Sequence, residues 1–452
     1  MKYFSARLAF ASICAGTLIV SSGVASGATY YVDAMNGNDN WNGLSSGIPS
    51  SGTTGPWQTL KRLSKQALTP GDTVLLRCGT SWKETLKLFG SGSTTAPIHV
   101  SSYPEGCADP ARIDGRTFIP AHAWQLDSGY IFKAPSSFNL VSNGTFGNGI
   151  TDWRTWSPSG DARLIHKNSC TALNDRCLEF VRGSGSVSSV LSSASFSLDT
   201  GVTYRIKAKI RSASGTSPKL IVRRNGAPFN TLGFSQTYSG NSAWQTVDTT
   251  FTASAYQPAA RIDLELPAGT SSAEIADVRI ETTVPAPLQL IVTDGALVEA
   301  HHPNRGFDAT RPDSHYARIT SNSATVASTY STGSSYLNYG SDLALPSGAT
   351  LAPGLTAHIR TEAWQLDSRK ITSATASRIN LDAATSYPIR TGWGFFLTGA
   401  RWMLDSPGEW FHDPNQTTTY VWLRDGSAPG NRVAVSSLDT GADLTSWRHG
   451  KA

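Results

Sequence analysis

The sequence predicts a mostly β protein with two or three domains. The chain has 41 glycines and 23 prolines, and Ser and Thr residues separate its short apolar runs, a composition that favours strands and turns over long helices. Its 452 residues exceed one domain at roughly 100 to 200 residues per domain. With 39% hydrophobic and 16% charged residues the chain is not of the disordered class, and its net charge of +5 predicts no nucleic-acid partner.

The first 28 residues are predicted to form a secretory signal peptide. Lys2 and Arg7 precede an apolar run over residues 8–20, and small residues follow at 26–28. The apolar run is shorter than the roughly 20 residues that a spanning helix needs, so no membrane span is predicted there or later in the chain. The mature protein is therefore expected to be secreted or periplasmic.

Four cysteines follow the signal, and an even number in an exported chain indicates two disulfides. Cys78 and Cys107 lie in one compositional region, and Cys170 and Cys177 lie in another. We therefore expect Cys78 to pair with Cys107 and Cys170 with Cys177, although the sequence alone leaves the connectivity open.

Residues 29–138 form the first predicted region. It opens with a strand-like run at 29–33, and after Pro56 apolar residues recur at steps of three and four up to Leu68, which predicts one amphipathic helix that ends near Pro70. Strand-like runs follow at 73–77, 86–89, 98–103 and 112–114. The step from Val74 to Ile98, 98 minus 74 or 24 residues, suits the coils of a solenoid, and a sandwich is the alternative.

Four short motifs of this region resemble the opening of secreted right-handed parallel β-helix proteins. In order they are YYVD at 30–33, NGND at 36–39, WQTL at 57–60 and PGDTV at 70–74. In that family a short helix caps the first coil, because the end of a solenoid exposes apolar core and open strand edges. The resemblance implies that the predicted helix is this N-terminal cap.

The second region, 139–285, is predicted to be a self-contained β-sandwich. Apolar and polar residues alternate at 204–210 and 220–223, which indicates half-buried antiparallel strands. The order and spacing of its segments, from NLVSNGTF at 139–146 to ADVRI at 276–280, resemble a jelly-roll carbohydrate-binding module of the family 4 and 9 type.

The last region, 286–452, continues the style of the first. The hexapeptide AWQLDS occurs at 123–128, before the sandwich, and again at 363–368, after it. We interpret the chain as a β-helix protein that the sandwich interrupts. Segments 402–411 and 420–423 again resemble β-helix polysaccharide proteins just ahead of their main coils, so we expect this chain to be truncated before most of the solenoid.

Aromatic residues of the sandwich are candidates for sugar binding, because a flat ring stacks on a pyranose while polar neighbours bond its hydroxyl groups. The candidate rings are Trp156, Tyr238 and Phe234, and the candidate hydrogen-bonding side chains are Arg223 and Gln236. Plain packing is the alternative for the rings, and a solvated strand face is the alternative for the two polar residues. Three further aromatic residues are expected in the core, namely Trp153, Trp244 and Phe251.

The resemblance to the carbohydrate-binding modules also implies a structural Ca²⁺ near the ends of the sandwich. Asp277 and backbone carbonyls around Asn143 and Thr145 would supply its oxygen ligands, of which calcium needs about six to eight. The family commonly has an acidic residue after its Asn-Gly-x-Phe pattern. This chain has Gly147 there, and each lost carboxylate lowers the affinity for calcium.

No catalytic residue can be assigned from the sequence. An acid/base cluster is conceivable in one short stretch, but a turn with solvated carboxylates is the favoured interpretation of its members, Asp405, Glu409, His412 and Asp413. The adjacent His301 and His302 would point to opposite faces of a strand, so the pair cannot chelate one ion.

These observations predict an extracellular carbohydrate-binding protein with a polysaccharide as its partner. The resemblance implies the N-terminal portion of an enzyme that cleaves glycosidic bonds, by hydrolysis or by β-elimination. A non-catalytic surface or matrix adhesion protein with the same β architecture is the alternative.

Overall fold

The computed structural model of the chain describes residues 27–443, apart from 171–172, 174, 186, 269, 285, 288, 294, 305–315, 323–332, 437 and 439–440. Nearly all regular structure in these residues is β, which confirms the predicted all-β class. The described helices are one α-helix and three 3-10 helices: Leu60–Leu63, Ala121–Ala123, Ser341–Leu343 and Arg401–Met403. None of the helices described is long and apolar enough to cross a membrane. The predicted signal peptide lies outside the described residues, except for its last two positions.

Strands of the first region pair in parallel. One three-stranded sheet contains, in order, Thr29–Val32, Thr73–Arg77 and His99–Tyr103. Val74 lies beside Val100, a step of 100 minus 74, or 26 residues. Shorter parallel pairs are Ala67–Leu68 with Phe89–Gly90, Ser81–Trp82 with Arg112–Ile113, and Leu86–Lys87 with Ala442–Asp443. Their inward side chains share a buried cluster with Val32 and Trp57.

The predicted N-terminal helix is much shorter in the structure. It covers only Leu60–Leu63, and the Thr59 hydroxyl caps it by accepting a hydrogen bond from the Arg62 amide at 3.0 Å. The prediction was wrong for Ala67–Leu68, which form a parallel strand with Phe89–Gly90. The strand buries Leu68 in the same cluster that the helix would have served, so tertiary pairing overrides the helical spacing.

Two antiparallel sheets form the sandwich. We call the first the charged sheet; its order is Arg163–Lys167, Cys177–Val181, Ser272–Thr283, Thr203–Ser212 and Gln245–Thr252, with Ser137–Asn139 also paired to Ser272–Thr283. We call the second the Trp156 sheet; its order is Trp153–Trp156, Ser189–Ser193, Gln257–Leu266, Lys219–Arg224 and Thr231–Thr237, with Phe196–Leu198 also paired to Gln257–Leu266. The buried residues of the apolar interior between the two sheets all lie between positions 141 and 280.

The chain enters and leaves the sandwich at neighbouring strands. Ser137 lies opposite Thr283, so the two ends of the inserted segment are side by side. Strands from before and after it then share two further sheets. One has the order Gln125–Ser128, Ile131–Pro135, Thr418–Trp422, Glu409–Asp413 and Val298–Glu299, and the other Gly295–Ala296, Gln289–Val292, Ala434–Ser436 and Arg116–Phe118.

Part of the last region forms a sheet that sequence analysis did not predict. Six antiparallel strands close on themselves in the order Gly394–Thr398, Ala317–Asn322, Tyr336–Tyr339, Arg378–Leu381, Gln365–Ala374 and Thr356–Glu362, with His301–His302 paired outside the ring to Gly394–Thr398. Ile319, Ile359 and Phe395 are among its fully buried residues. The second AWQLDS copy lies at a hairpin of this closed sheet, so the repeat does not mark continued solenoid coils.

Both predicted disulfides are present. Cys78 bonds to Cys107, with their Cα atoms 6.4 Å apart, and Cys170 bonds to Cys177, with a Cα separation of 6.1 Å. Each bond therefore closes a loop within one region, as the division of the chain predicted.

Candidate functional site

The outer face of the Trp156 sheet exposes a large aromatic ring. Trp156 ends the edge strand Trp153–Trp156 and is 58% exposed, whereas Trp153, three positions earlier, is buried against Phe146 with 5.3 Å between ring centroids. Residues an odd number apart on a strand point to opposite faces, so one tryptophan joins the core and the other faces out. The core prediction for Trp153 is confirmed, and Phe251 is buried in the same cluster.

The centre of this outer face is a buried row of side chains, which we call the recess. Across the strands, Arg154 is in register with Ser192, Asp263 and Ile221, which places all four on the side of Trp156. Ser192, Asp263 and Ile221 are at most 4% exposed, while Arg154 at the edge is exposed. A face with a buried centre and an exposed ring at its edge can receive an extended ligand.

Ion pairs line the recess. The Asp263 carboxylate lies 3.2 Å from Arg223 Nε and 2.9 Å from Arg261 Nε, and Arg223 Nη2 donates a hydrogen bond to Glu265 at 3.0 Å. Complete burial raises the pKa of Asp263, although the Ser192 hydroxyl and both guanidinium groups act in the opposite direction. Arg223, a predicted hydrogen-bonding residue, is therefore on the same face as Trp156 and is held in a defined position.

A second exposed ring lies at the far side of this face, and the sequence analysis missed it. Phe229 is 46% exposed in the turn between Lys219–Arg224 and Thr231–Thr237, and the Arg261 guanidinium lies 5.4 Å from its ring centroid. Four inter-strand spacings separate the two edge strands, roughly 19 Å across the face. The Asn-Gly-Ala-Pro turn before Phe229 was the available signal, because turn residues lie at the surface.

The structure does not bring the other predicted residues to this face. Phe234 and Tyr238 are each 7% exposed and belong to the core, and burial raises the pKa of Tyr238 to about 12. Gln236 is exposed but lies in register with the core residue Leu220, so it is on the opposite side of its strand from the recess. Strand alternation places Leu232, Phe234 and Tyr238 inward, which excludes their rings as stacking platforms.

The outer face of the charged sheet is of a different kind. Lys167 lies 2.8 Å from both Glu179 and Glu274, and Arg205 lies 2.7 Å from Asp248. Such rows of opposite charges on neighbouring strands stabilise a solvated sheet surface. Trp244, expected in the main core, is instead half-buried beside the 170–177 disulfide.

The residues implied for calcium do not fit that ion as they are arranged. The Asn143 carbonyl accepts hydrogen bonds from the Trp153 indole and the Phe146 amide, and Asp277 is paired with Arg279 at 2.6 Å. Calcium needs about six to eight oxygen ligands, and the Asn143 carbonyl and the Asp277 carboxylate already accept N–H groups. Among the residues that the structure describes, the one group of three possible metal ligands is Cys170, Cys177 and Glu274, and its two sulfur atoms are bonded to each other.

The acidic stretch near residue 409 does not form one cluster. His412 bonds to Thr419, and Asp413 accepts the Asn415 amide within a turn. Glu409 is only 3% exposed, which corrects the expected solvated carboxylate, and lies 3.2 Å from His301 Nδ1. The close Glu409 carboxylate raises the pKa of the histidine, because it stabilises the protonated ring.

Residues 301 and 302 point apart, as predicted. His301 contacts Glu409, whereas His302 Nε2 lies 3.0 Å from the Ala344 carbonyl and its ring packs edge-on against Trp402. The two rings therefore do not converge on one ion.

Comparison with known proteins identifies the sandwich. Residues 138–272 match the family model described as a carbohydrate binding domain. No curated protein matches the chain. A solved structure described as "CBM4 structure and function" is 20% identical over 31% of this chain and 97% of its own, with a TM-score of 0.27. The N-terminal cellulose-binding domain of β-1,4-glucanase C from Cellulomonas fimi is 20% identical over 33% of this chain and 99% of its own, with a TM-score of 0.27.

A larger solved structure, described as a glycoside hydrolase, aligns with most of the chain. It is 13% identical, with a TM-score of 0.40, over 92% of this chain and 47% of its own. The chain therefore spans about half the length of that protein.

Proposed function

We propose that the carbohydrate-binding domain holds a polysaccharide across the outer face of the Trp156 sheet. The observation that carries this proposal is the exposed indole of Trp156 beside a recessed row of ion-paired side chains. An indole stacks on the apolar face of a pyranose, while charged side chains bond its hydroxyl groups. Glu265 is in register with Trp156 across the strands and accepts a hydrogen bond from Arg223, and Phe229 supplies a second ring at the far side.

The ion pairs support binding by holding the polar groups in place before the sugar arrives. Asp263 contacts two guanidinium groups, and Arg223 also bonds to Glu265, so rotation of these side chains is restricted. Binding then costs less side-chain entropy than it would with mobile arginines.

Retention of the mature chain on polysaccharides tests this proposal. Trp156→Ala is expected to weaken binding by about tenfold or more, because truncating an aromatic anchor removes most of its contact energy. Trp364→Ala is the matched control, since Trp364 is 73% exposed at a hairpin of the closed sheet, outside the sandwich. Equal retention of both variants on every polysaccharide bound by the parent chain would refute the role of this face.

We further propose that residues 29–138 begin a right-handed parallel β-helix in an exported enzyme that cleaves glycosidic bonds. The parallel pairing of Thr29–Val32, Thr73–Arg77 and His99–Tyr103 supports this, together with the motifs that resemble the opening of such proteins. The two disulfides and the carbohydrate-binding domain fit an extracellular protein. The bound polymer would then stay at high local concentration near the rest of the enzyme.

Incubation with pectin, alginate, chondroitin and β-glucan tests for cleavage. Hydrolysis would release reducing ends alone, whereas β-elimination would also produce the absorbance of unsaturated ends. A chain that binds but yields neither product would support the adhesion alternative for this chain.

A further inference from the structure

A cavity of about 850 Å³ lies where the three regions meet. Lys83 and Arg116 of the first region line it, with Asp199 and Tyr256 of the sandwich and Asn431 of the last region. Its size is within the range of about 300 to 1,000 Å³ that is usual for small-molecule sites. None of the residues that form the recess of the Trp156 sheet lines this cavity, so the two are separate.

The charged groups of the cavity occur as balanced pairs. Lys83 Nζ lies 2.8 Å from Asp199 Oδ2 and donates to Thr117 Oγ1 at 2.8 Å, while Arg116 makes two hydrogen bonds of 2.8 Å to Asp114. Two cations and two carboxylates leave no net charge from these four groups. A polyanion or polycation therefore gains no net electrostatic attraction here. Hydroxyl groups both donate and accept hydrogen bonds, so they suit a lining that contains cationic donors and carboxylate acceptors.

An exposed ring completes the wall. Phe118 is 47% exposed although it lies in the strand Arg116–Phe118, and the Arg116 guanidinium lies 5.5 Å from its ring centroid. Leu140 and Phe196 extend the apolar part of the lining. A flat apolar ring beside paired donors and acceptors is the combination that a pyranose requires.

We propose that this junction cavity is a second sugar site, which takes a short neutral oligosaccharide. It does not depend on binding at the Trp156 sheet, because it uses different residues. Because Lys83 and Asp199 bridge the first region and the sandwich, a sugar in the cavity contacts both and restrains their relative motion.

Calorimetric titration of the mature full-length chain tests the proposal in a Trp156→Ala background, which removes the first site. The ligands are neutral gluco-, xylo-, manno- and galacto-oligosaccharides of a few units, with uronic acid oligomers of equal length. At least one neutral oligosaccharide is expected to bind. Adding Phe118→Ala should weaken its binding by about tenfold or more. Adding Phe89→Ala should leave it unchanged, since Phe89 is a phenylalanine of the first region that is 58% exposed and does not line the cavity.

Hydrogen exchange locates the bound sugar independently of affinity. Protection of amides in Arg116–Phe118 on adding the oligosaccharide supports the proposal. The proposal is overturned if no neutral oligosaccharide binds in the Trp156→Ala background, if only uronic acid oligomers bind, or if Phe118→Ala and Phe89→Ala bind the sugar equally. If Trp156→Ala is no longer retained on polysaccharides but still binds a neutral oligosaccharide in the cavity, both proposals are supported.

Discussion

Removal of Arg223 tests whether the buried carboxylate of the recess depends on its ion pairs. Asp263 is 0% exposed and lies 3.2 Å from Arg223 and 2.9 Å from Arg261. Breaking a buried ion pair typically costs about 3 to 5 kcal/mol, because the remaining charge stays buried. Since Arg261 still contacts the carboxylate, Arg223→Leu should lower the unfolding free energy of the sandwich by about 3 kcal/mol, the lower end of that range.

The stability cost of Arg223→Leu should depend on pH, because the pKa of Asp263 is shifted upward in the folded protein. Burial raises the pKa of Asp263 above its unfolded value of about 3.9, so its contribution to stability is fully present below that pH and is lost as pH rises through the folded pKa. Without the Arg223 cation the folded pKa rises further. The cost of Arg223→Leu should therefore be small near pH 4 and reach its full value near pH 7.

Native-state hydrogen exchange of the full chain measures this cost. The chain has several separate cores and need not unfold in one step, so the opening free energy is read from amides of Gln257–Leu266. Arg154→Leu on the same face is the control, since Arg154 is exposed and its loss should change stability by less than about 0.5 kcal/mol. Equal effects of the two substitutions, or a cost of Arg223→Leu that does not grow with pH, would refute the reasoning.

Three further outcomes are expected. The close Glu409 carboxylate raises the pKa of His301, so stabilisation by this pair is present below about pH 6.5 and is lost as pH rises through the folded pKa. Glu409→Gln should return the pKa of His301, measured by NMR titration, toward 6.5, and a pKa that stays raised would contradict this expectation. Calcium chelation should leave the melting temperature unchanged, because Asp277 already pairs with Arg279. A melting temperature that falls on chelation and recovers when calcium is added back would contradict this expectation. Replacing the 78–107 disulfide by serines should lower the free energy of unfolding by about 3.6 kcal/mol, and replacing the 170–177 disulfide by about 2.4 kcal/mol, because the closed loops span 29 and 7 residues. Equal losses of free energy in denaturant unfolding would contradict this expectation.

Strand alternation made part of the candidate site predictable. The odd spacing of Trp153 and Trp156 is enough to place one ring inward and the other outward. The same rule, applied to Leu232, Phe234 and Tyr238, would have assigned the last two rings to the core. The glycine and serine residues around Tyr238 are typical of a loop, whereas the structure has an edge strand with small outward residues over Thr231–Thr237, directly before that tyrosine.

The sequence by itself determined the all-β class, the presence of a carbohydrate-binding sandwich and the pairing of cysteines, because these depend on composition, local periodicity and short separations along the chain. Only the tertiary structure decided which distant strands are neighbours. Arg116–Phe118 pairs with Ala434–Ser436, although the entire sandwich lies between the two strands in the sequence. Residues of the first of these strands line the junction cavity. Likewise, the burial of Asp263 and the contact between His301 and Glu409 come from packing between strands far apart in sequence. Periodicity shows which side of a strand faces a core, but the choice of partner strand depends on the apolar area buried by the complete fold.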